Sequence, residues 1–305
     1  MKKTVLDAQD VKSLAPWLKS EKFINAILRW VNVERVNKLH SDNCHMQGAD
    51  FTDGILHDLN IKLEIEGEDV LKNLPEGSFV TLSNHPFGAL DGVSIISLFA
   101  RYRPEYKVMV NKILMMISAL APNFISVQPH SNTEEARKAS MNGIREAMQH
   151  VRNGYPIGFF PAGAVSNLKR DLTTEDREWQ PSIIKLVKQF KKPVVPVYFY
   201  GRNTIMFYFM RGITYILSSL RLPTEVMKRY GTTLRVAVGR PVMPEEYAHI
   251  DDIEELARFF KAKTYELKKS NMIDRTTRGG IYEMPPRVVY IASIKNLITA
   301  CRLWL

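Results

Sequence analysis

The sequence predicts an α/β fold with a mixed, largely parallel central sheet flanked by helices, and three observations support it. From about residue 61 onward, short apolar runs of β type alternate with helical segments, the order that builds parallel sheets with crossover helices. Two of these runs stop abruptly in turns rich in Pro and Gly, as strands do at the edge of a sheet. The chain has 305 residues, 45% of them hydrophobic and 24% charged, which is ample for a packed core and excludes a disordered, collagen-like or coiled-coil chain.

The elements follow in order. Residues 1–60 are predicted to form an N-terminal helical extension. In it FINAILRWVNVERVNKL reads as one helix, with Phe23, Ile24, Ile27, Leu28 and Val31 as its apolar stripe and Pro16 near its start. Residues 61–255 are predicted to hold the α/β domain. KLEIEGEDVLKNLPEGSFVTLS carries two short strands around polar turn residues, and the second ends at Asn84-His85-Pro86. YKVMV and FISV are the next strands. Ser131-Asn132-Thr133-Glu134 has the form of a capping box opening a helix that ends near Gly154. PIGFFP (strand), PSIIKLVKQFKK (helix), KPVVPVYFY (strand) and TLRVAVGRP (strand) complete the alternation, and a charged helix is expected from Asp251 to Lys269. Residues 256–305 are predicted to form a basic tail.

Charge is uneven. The net charge is +10, and from Leu256 to Leu305 ten Lys or Arg face three Asp or Glu, leaving the tail at +7. Such a tail suits an anionic partner, either a membrane surface, an acidic carrier protein or nucleic acid. No RNP-type, helix-turn-helix or KH signature accompanies it, so nucleic acid is excluded. NKILMMISALA (111–121), IMFYFMRGITYILSSL (205–220) and the C-terminal VVYIASIKNLITACRLWL are more apolar than surface helices need to be. The second, interrupted and short of a bilayer's thickness, suits either an interface, with Arg202, Arg211 and Arg221 toward phosphates, or a buried core helix, and three such segments beside the basic tail favour a membrane surface. Two cysteines, Cys44 and Cys301, build no disulfide framework and fit a reducing compartment. The basic start MKK has no apolar region behind it, which argues against a secretory signal and for a cytosolic chain.

The chemistry concentrates in TLSNHPFGALDG. A strand delivers His85, Pro86 and Gly88 turn the chain, and Asp91 falls where the next helix opens. In open α/β sheets ligands bind beyond the carboxyl ends of strands, so a catalytic group belongs there. A histidine with a carboxylate beside it is the minimal device for general-base catalysis. No Ser or Cys stands in a nucleophile elbow, which favours direct attack by an activated substrate hydroxyl or amine. A second turn, FFPAGAVS, is suited to aiming backbone N–H groups at an anion. His40, Cys44, His45 and His57 crowd one region but fit no zinc spacing and read as solvated helix histidines, so no metal site is predicted. TTRGGIY lacks the Lys-Ser/Thr of a phosphate loop, so no nucleotide cofactor is predicted either.

NHPFGALDG, FFPAGAVS and PVVPVYFYGRN, in that order, resemble the glycerolipid or lysophospholipid acyltransferase superfamily, and more closely its bacterial hemolysin-like, lyso-ornithine-lipid acyltransferase branch. The likeness covers roughly residues 61–241. It implies His85 as catalytic base and Asp91 as its orienting carboxylate. It also implies substrate-binding roles for Asn84, Phe160, Pro161, Gly163, Ser166, Arg202 and Asn203, with Pro196 matching the proline of the last motif. The implied co-substrate is an acyl thioester of acyl-carrier protein or CoA, and the implied acceptor a lyso-lipid at an anionic membrane surface. The expected location is peripheral, on the cytoplasmic face of the inner membrane.

The departures concern charge. Five residues separate His85 from Asp91 where the wider family has four; Ala162 and Ala164 replace motif carboxylates; Asn167 and Gln128-Pro129 stand where arginines are usual. Lys169 and Arg170 are the nearest substitutes. These charges normally hold a glycerol phosphate, so the expected acceptor is a lyso-aminolipid. Lysophosphatidate or lysophospholipid acylation, and a non-catalytic membrane-binding role, remain the alternatives.

Overall fold

The computed structural model describes residues 3–14, 19–128, 133–213 and 215–277. Four helices come first: α1 (Ala8–Leu14), α2 (Glu21–Trp30), α3 (Val33–Asn43) and α4 (Gly48–Asp58). Then follow β1 (Lys62–Glu66), α5 (Glu68–Lys72), β2 (Val80–Ser83), α6 (Ala89–Ala100) and β3 (Lys107–Asn111). Two 3-10 segments, Lys112–Met116 and Ser118–Asn123, lead to β4 (Phe124–Val127), α7 (Glu134–Arg152) and β5 (Ile157–Phe159). A small hairpin, β6 (Asn167–Leu168) with β7 (Thr174–Glu175), precedes α8 (Pro181–Phe190) and β8 (Val194–Tyr200). Last come α9 (Ile205–Ile213), α10 (Tyr215–Met227), β9 (Thr233–Val238), α11 (Pro244–Tyr247) and α12 (Ile253–Thr277).

The predicted α/β class holds. Seven strands form one sheet in the order β1-β9-β8-β2-β5-β3-β4, parallel throughout except for the β8–β9 pair. Strand periodicity divides the core into two layers. Val195, Val197 and Phe199 of β8 join Leu234, Val236 and Val238 of β9, Phe99 of α6 and Ile55 of α4 on one face. Val194 joins Val80 and Leu82 of β2, Phe159 of β5 and the apolar sides of α8 and α12 on the other. The first helices form a separate small cluster of Ala8, Ile24, Leu28, Val31 and Val33.

By contact density the chain divides into residues 1–268 and residues 269–305. Of the second unit only the end of α12 is described. The apolar C-terminal segment, with Cys301, and the Gly-Gly of TTRGGIY lie outside the described residues, as do Pro16, Pro129 and the Ser131-Asn132 pair.

Three readings change. The single helix expected over residues 23–39 is two, because Asn32 takes a left-handed conformation (φ 61°) between α2 and α3 and donates its side-chain amide to Thr224 Oγ1 at 3.2 Å. His40 is buried, not solvated; its ring meets Phe51 edge-on at 5.6 Å and its Nδ1 lies 3.1 Å from the Lys3 carbonyl. The apolar stretch 205–220 is divided between α9 and α10, and 111–121 winds into the two 3-10 segments rather than a helix. The helix predicted to end near Gly154 forms, but it opens at Glu134 with Thr133 as its cap in place of the Ser131 of the expected capping box: the Thr133 hydroxyl accepts from Ala136 N at 3.3 Å. Among the described residues no helix is long and apolar enough to cross a membrane.

One buried polar pair ties β2 to the start of β3. Thr81 Oγ1 and the Tyr106 hydroxyl are 2.6 Å apart, and both side chains are fully buried. Burial pushes the Tyr106 phenol well above its usual range, so this bond is neutral. Tyr106→Phe leaves the Thr81 hydroxyl without that partner and is expected to cost about 1–3 kcal/mol in urea unfolding. An unchanged midpoint and slope would contradict this.

Candidate active site

The site grows from the carboxyl end of β2. Asn84 extends the β2–β8 ladder by one residue with its side chain: Nδ2 donates to the Phe199 carbonyl at 2.9 Å, and Phe199 N donates to Oδ1 at 2.7 Å. Its amide is thus fully engaged by backbone. The chain then turns through His85, Pro86, Phe87 and Gly88. Gly88 has φ 83° and ψ −117°, open to glycine and strained for any other residue. A Cβ there would also stand 3.0 Å from a Leu222 methyl and 3.3 Å from a Val165 methyl.

This turn delivers the chain into α6, and Asp91 is the third residue of that helix. Oδ2 of Asp91 accepts from the N–H groups of Phe87 and Gly88, each at 2.9 Å. A carboxylate here meets orphan N–H groups and the positive end of the helix dipole. His85 Nδ1 lies 3.0 Å from the same oxygen, at ion-pair distance but off the line of a good hydrogen bond. The imidazole side chain is 19% exposed and the carboxylate 0%. Burial pushes the Asp91 carboxyl above its usual range, and the His85 contact and the two N–H donors oppose that rise. With Nδ1 turned to Asp91, Nε2 is the nitrogen left for a substrate.

A second buried carboxylate, Asp176, braces the turn from the far side. Its Oδ1 accepts from the Ser166 hydroxyl at 2.5 Å and from His85 N at 3.3 Å, and its Oδ2 accepts from Trp179 Nε1 at 3.1 Å. The backbone of Asp176 is held in turn by α12: its N–H donates to the Tyr265 hydroxyl at 2.7 Å, and its carbonyl accepts from Lys261 Nζ at 2.8 Å. Burial lifts the Asp176 carboxyl too, against these donors.

FFPAGAVS runs alongside. The Phe160 ring lies 4.2 Å from the His85 ring, tilted by 31°. Pro161 is buried, and its carbonyl accepts from Gln180 N at 3.0 Å. Gly163 turns with φ 60°, and a Cβ there would collide with the Gln180 side chain. Two of the N–H groups expected to face an anion are already used. Gly163 N donates to the Phe160 carbonyl at 2.9 Å, and Ser166 N donates to the His85 carbonyl at 2.8 Å. Ala162 and Ala164 are both buried. Lys169, a candidate substitute cation, is paired with Glu175.

The structure therefore gathers Asn84, His85, Asp91, Phe160, Pro161 and Ser166 around one strand end. Arg202 and Asn203 follow β8 and join this group through Arg229. The Arg229 guanidinium sits 4.6 Å over the Phe87 ring and donates to the Arg202 carbonyl. Arg211 donates from Nη1 to the Val165 carbonyl at 2.6 Å, beside Ser166. Sequence reasoning missed Asp176, Tyr265 and Arg229; they lie 91 to 180 residues along the chain from His85, and no local spacing marks them. A cleft of about 510 Å³ between α4, α6 and β1, lined by Leu56, Leu63, Leu71, Ser97 and Arg101 among others, contains none of the residues around His85. No group of residues suited to a metal ion occurs among the described residues.

Asp176→Ala removes the acceptor of three buried donors at once. It is expected to lower unfolding free energy by at least about 2 kcal/mol and to reduce turnover per folded molecule. Urea unfolding with a matched activity assay checks both, and wild-type values for each would contradict the bracing role.

Residues 6–274 match the family described as "Acyltransferase". The chain is 28% identical to the lyso-glycine lipid O-acyltransferase of Bacteroides thetaiotaomicron over 256 residues, covering 81% of this chain and 90% of that protein. It is likewise 28% identical to the lyso-glycine lipid O-acyltransferase of Phocaeicola vulgatus over 249 residues, covering 78% of this chain and 84% of that one. Among solved structures, the 1-acyl-sn-glycerophosphate acyltransferase PlsC of Thermotoga maritima aligns with a TM-score of 0.43 at 14% identity, over 72% of this chain and 81% of that one. With the family matched across nearly the whole described chain, this protein is an enzyme of the acyltransferase family.

Proposed function

We propose that this acyltransferase moves a fatty acyl group from an acyl thioester, of acyl-carrier protein or CoA, to the hydroxyl of a lyso-aminolipid at a membrane surface. The observation that carries the chemistry is the His85–Asp91 contact of 3.0 Å at the carboxyl end of β2. In this mechanism Nε2 of His85 takes the proton of the acceptor hydroxyl as its oxygen attacks the thioester carbonyl carbon. The C–S bond breaks, and the proton passes from Nε2 to the departing sulfur. Asp91 orients the ring and stabilises the imidazolium while it exists. No covalent acyl-enzyme is required, because the substrate hydroxyl is itself the nucleophile.

The acceptor class follows from charge. Ala162 and Ala164 are buried and uncharged, Lys169 is occupied by Glu175, and Arg177 and Arg211 donate to the Ala162 and Val165 carbonyls. A doubly charged phosphomonoester set there would be left underpaired. A lyso-aminolipid, with one head-group charge, makes a smaller demand. That both relatives are named for O-acylation of a lyso-glycine lipid supports this choice. Membership of an enzyme family weighs against the non-catalytic alternative.

Purified protein with one acyl donor and both acceptors tests this directly. The expected kcat/KM is higher for the lyso-aminolipid, and His85→Ala is expected to cut turnover by about 10²–10⁴-fold while staying folded. A clear preference for lysophosphatidate would overturn the acceptor, and near-normal transfer by folded His85→Ala would overturn the base.

Membrane association is proposed through α9, whose Ile205, Met206, Phe209 and Ile213 are exposed, helped by the basic tail. The surface is proposed to be the cytoplasmic face of the inner membrane. Vesicle flotation at low salt is expected to recover more protein with anionic than with neutral lipid, and salt is expected to reduce the difference. Equal recovery with both would contradict the electrostatic part.

A further inference from the structure

We propose that Arg202 and Arg229, with the side-chain amide of Asn203, form a carboxylate-binding subsite that holds the acceptor's head group beside the catalytic turn. The proposal rests on the lyso-aminolipid reading and names the residues that recognise its charge.

Arg229 is half-buried in the turn just after α10, and its guanidinium covers the ring of Phe87 at 4.6 Å. Phe87 is two residues from His85, and its N–H is one of the two that hold Asp91. The Arg229 side chain also donates to the carbonyl of Arg202, which fixes the loop after β8 against the same turn. Asn203, next along that loop, is 3% exposed, and its Nδ2 has no partner among the described residues. Its backbone N–H donates to the Tyr208 hydroxyl at 3.3 Å.

What singles out this pair is the fate of neighbouring charges. Glu225 on α10 is the buried acid of this segment, and it is already committed. Arg221 Nε lies 3.0 Å from its Oε1, and Thr204 gives it a backbone N–H at 2.8 Å and a hydroxyl at 2.7 Å. Neither Arg202 nor Arg229 makes an ion pair with a carboxylate among the described residues. Burial of Arg229 disfavours its charged form, and Glu225, Tyr208 and Asp91 act against that. At the FFPAGAVS turn Ala162 and Ala164 carry no charge, and the guanidinium groups against it, Arg177 and Arg211, donate to the Ala162 and Val165 carbonyls. An anion whose hydroxyl-bearing chain lies at His85 is within reach of the Arg229 guanidinium over Phe87, on a side where the buried acid, Glu225, is already paired with Arg221. Planar guanidinium groups pair edge to edge with a planar carboxylate, and an amide N–H₂ adds a third donor.

The test uses an N-acylglycine lyso-lipid bearing a hydroxyl on its acyl chain, and the primary amide of the same lipid. Wild-type protein is expected to favour the carboxylate by about tenfold or more in kcat/KM. In Arg202→Gln and Arg229→Lys that ratio is expected to collapse, through a higher KM for the carboxylate acceptor. Arg202→Gln, at a position not stacked on Phe87, decides the matter if the Arg229 variant fails to fold. A wild-type preference retained in folded Arg202→Gln, or no preference in wild type, would overturn the subsite. Transfer by wild type to neither lipid would instead fail the lyso-aminolipid reading. Calorimetric binding of the carboxylate lipid to His85→Ala, with and without Arg202→Gln, then decides the subsite alone: weaker binding supports it and equal binding overturns it.

Discussion

The site depends on one buried carboxylate oxygen. Asp91 Oδ2 receives two backbone N–H groups of the turn and faces His85 Nδ1, so the turn, the helix start and the imidazole share a single anchor. A fully buried acid of this kind is unfavourable unless donors surround it. Here they are supplied by the first turn of α6, where N–H groups lack intrahelical partners in any case. The same arrangement that stabilises the helix terminus sets the ring's distance from its partner. The constraint also explains Gly88: the path that points the Phe87 and Gly88 N–H groups at one oxygen requires φ 83°.

Around that anchor the fold supplies rigidity from a distance. Asn84 locks the strand end to β8, Asp176 locks the backbone of His85 to Ser166 and Trp179, and α12 holds Asp176 through Tyr265 and Lys261. Each contact joins segments remote in sequence, and all meet at the strand end where an open parallel sheet presents its ligands. Catalytic groups positioned by packed elements keep their geometry better than groups on free loops. The His85 ring itself remains partly exposed, against Phe160.

Much of this was legible in the sequence, for identifiable reasons. Strands such as PVVPVYFY and helices such as PSIIKLVKQFKK declare themselves by local periodicity, and the NHPFGALDG turn by its Pro and Gly. What local pattern could not reveal was tertiary. Asn32 broke a helix that periodicity had run through, because a left-handed residue with a partner on α10 outweighed the stripe. His40 is polar in type but buried against Phe51, a fact of packing alone. Ser166 was expected at substrate, yet its hydroxyl is committed to Asp176, an acid that TTEDREW gives no reason to select. The FPAG turn looked like a source of free N–H groups, but two of them are spent on Phe160 and His85.

The charge pattern connects architecture with chemistry. Where the chain lacks motif charges at Ala162 and Ala164, arginines from other elements stand close by: Arg177 and Arg211 on the Ala162 and Val165 carbonyls, and Arg229 over Phe87. The central claim is that the negative charge of Asp91, and not only its shape, makes His85 a base. Asp91→Asn isolates it, since an amide oxygen can still accept from Phe87 and Gly88. The measurement is turnover per folded molecule of this variant against wild type. The account predicts a loss of about 10²-fold or more with the fold retained. Turnover within about threefold of wild type in a folded protein would contradict it.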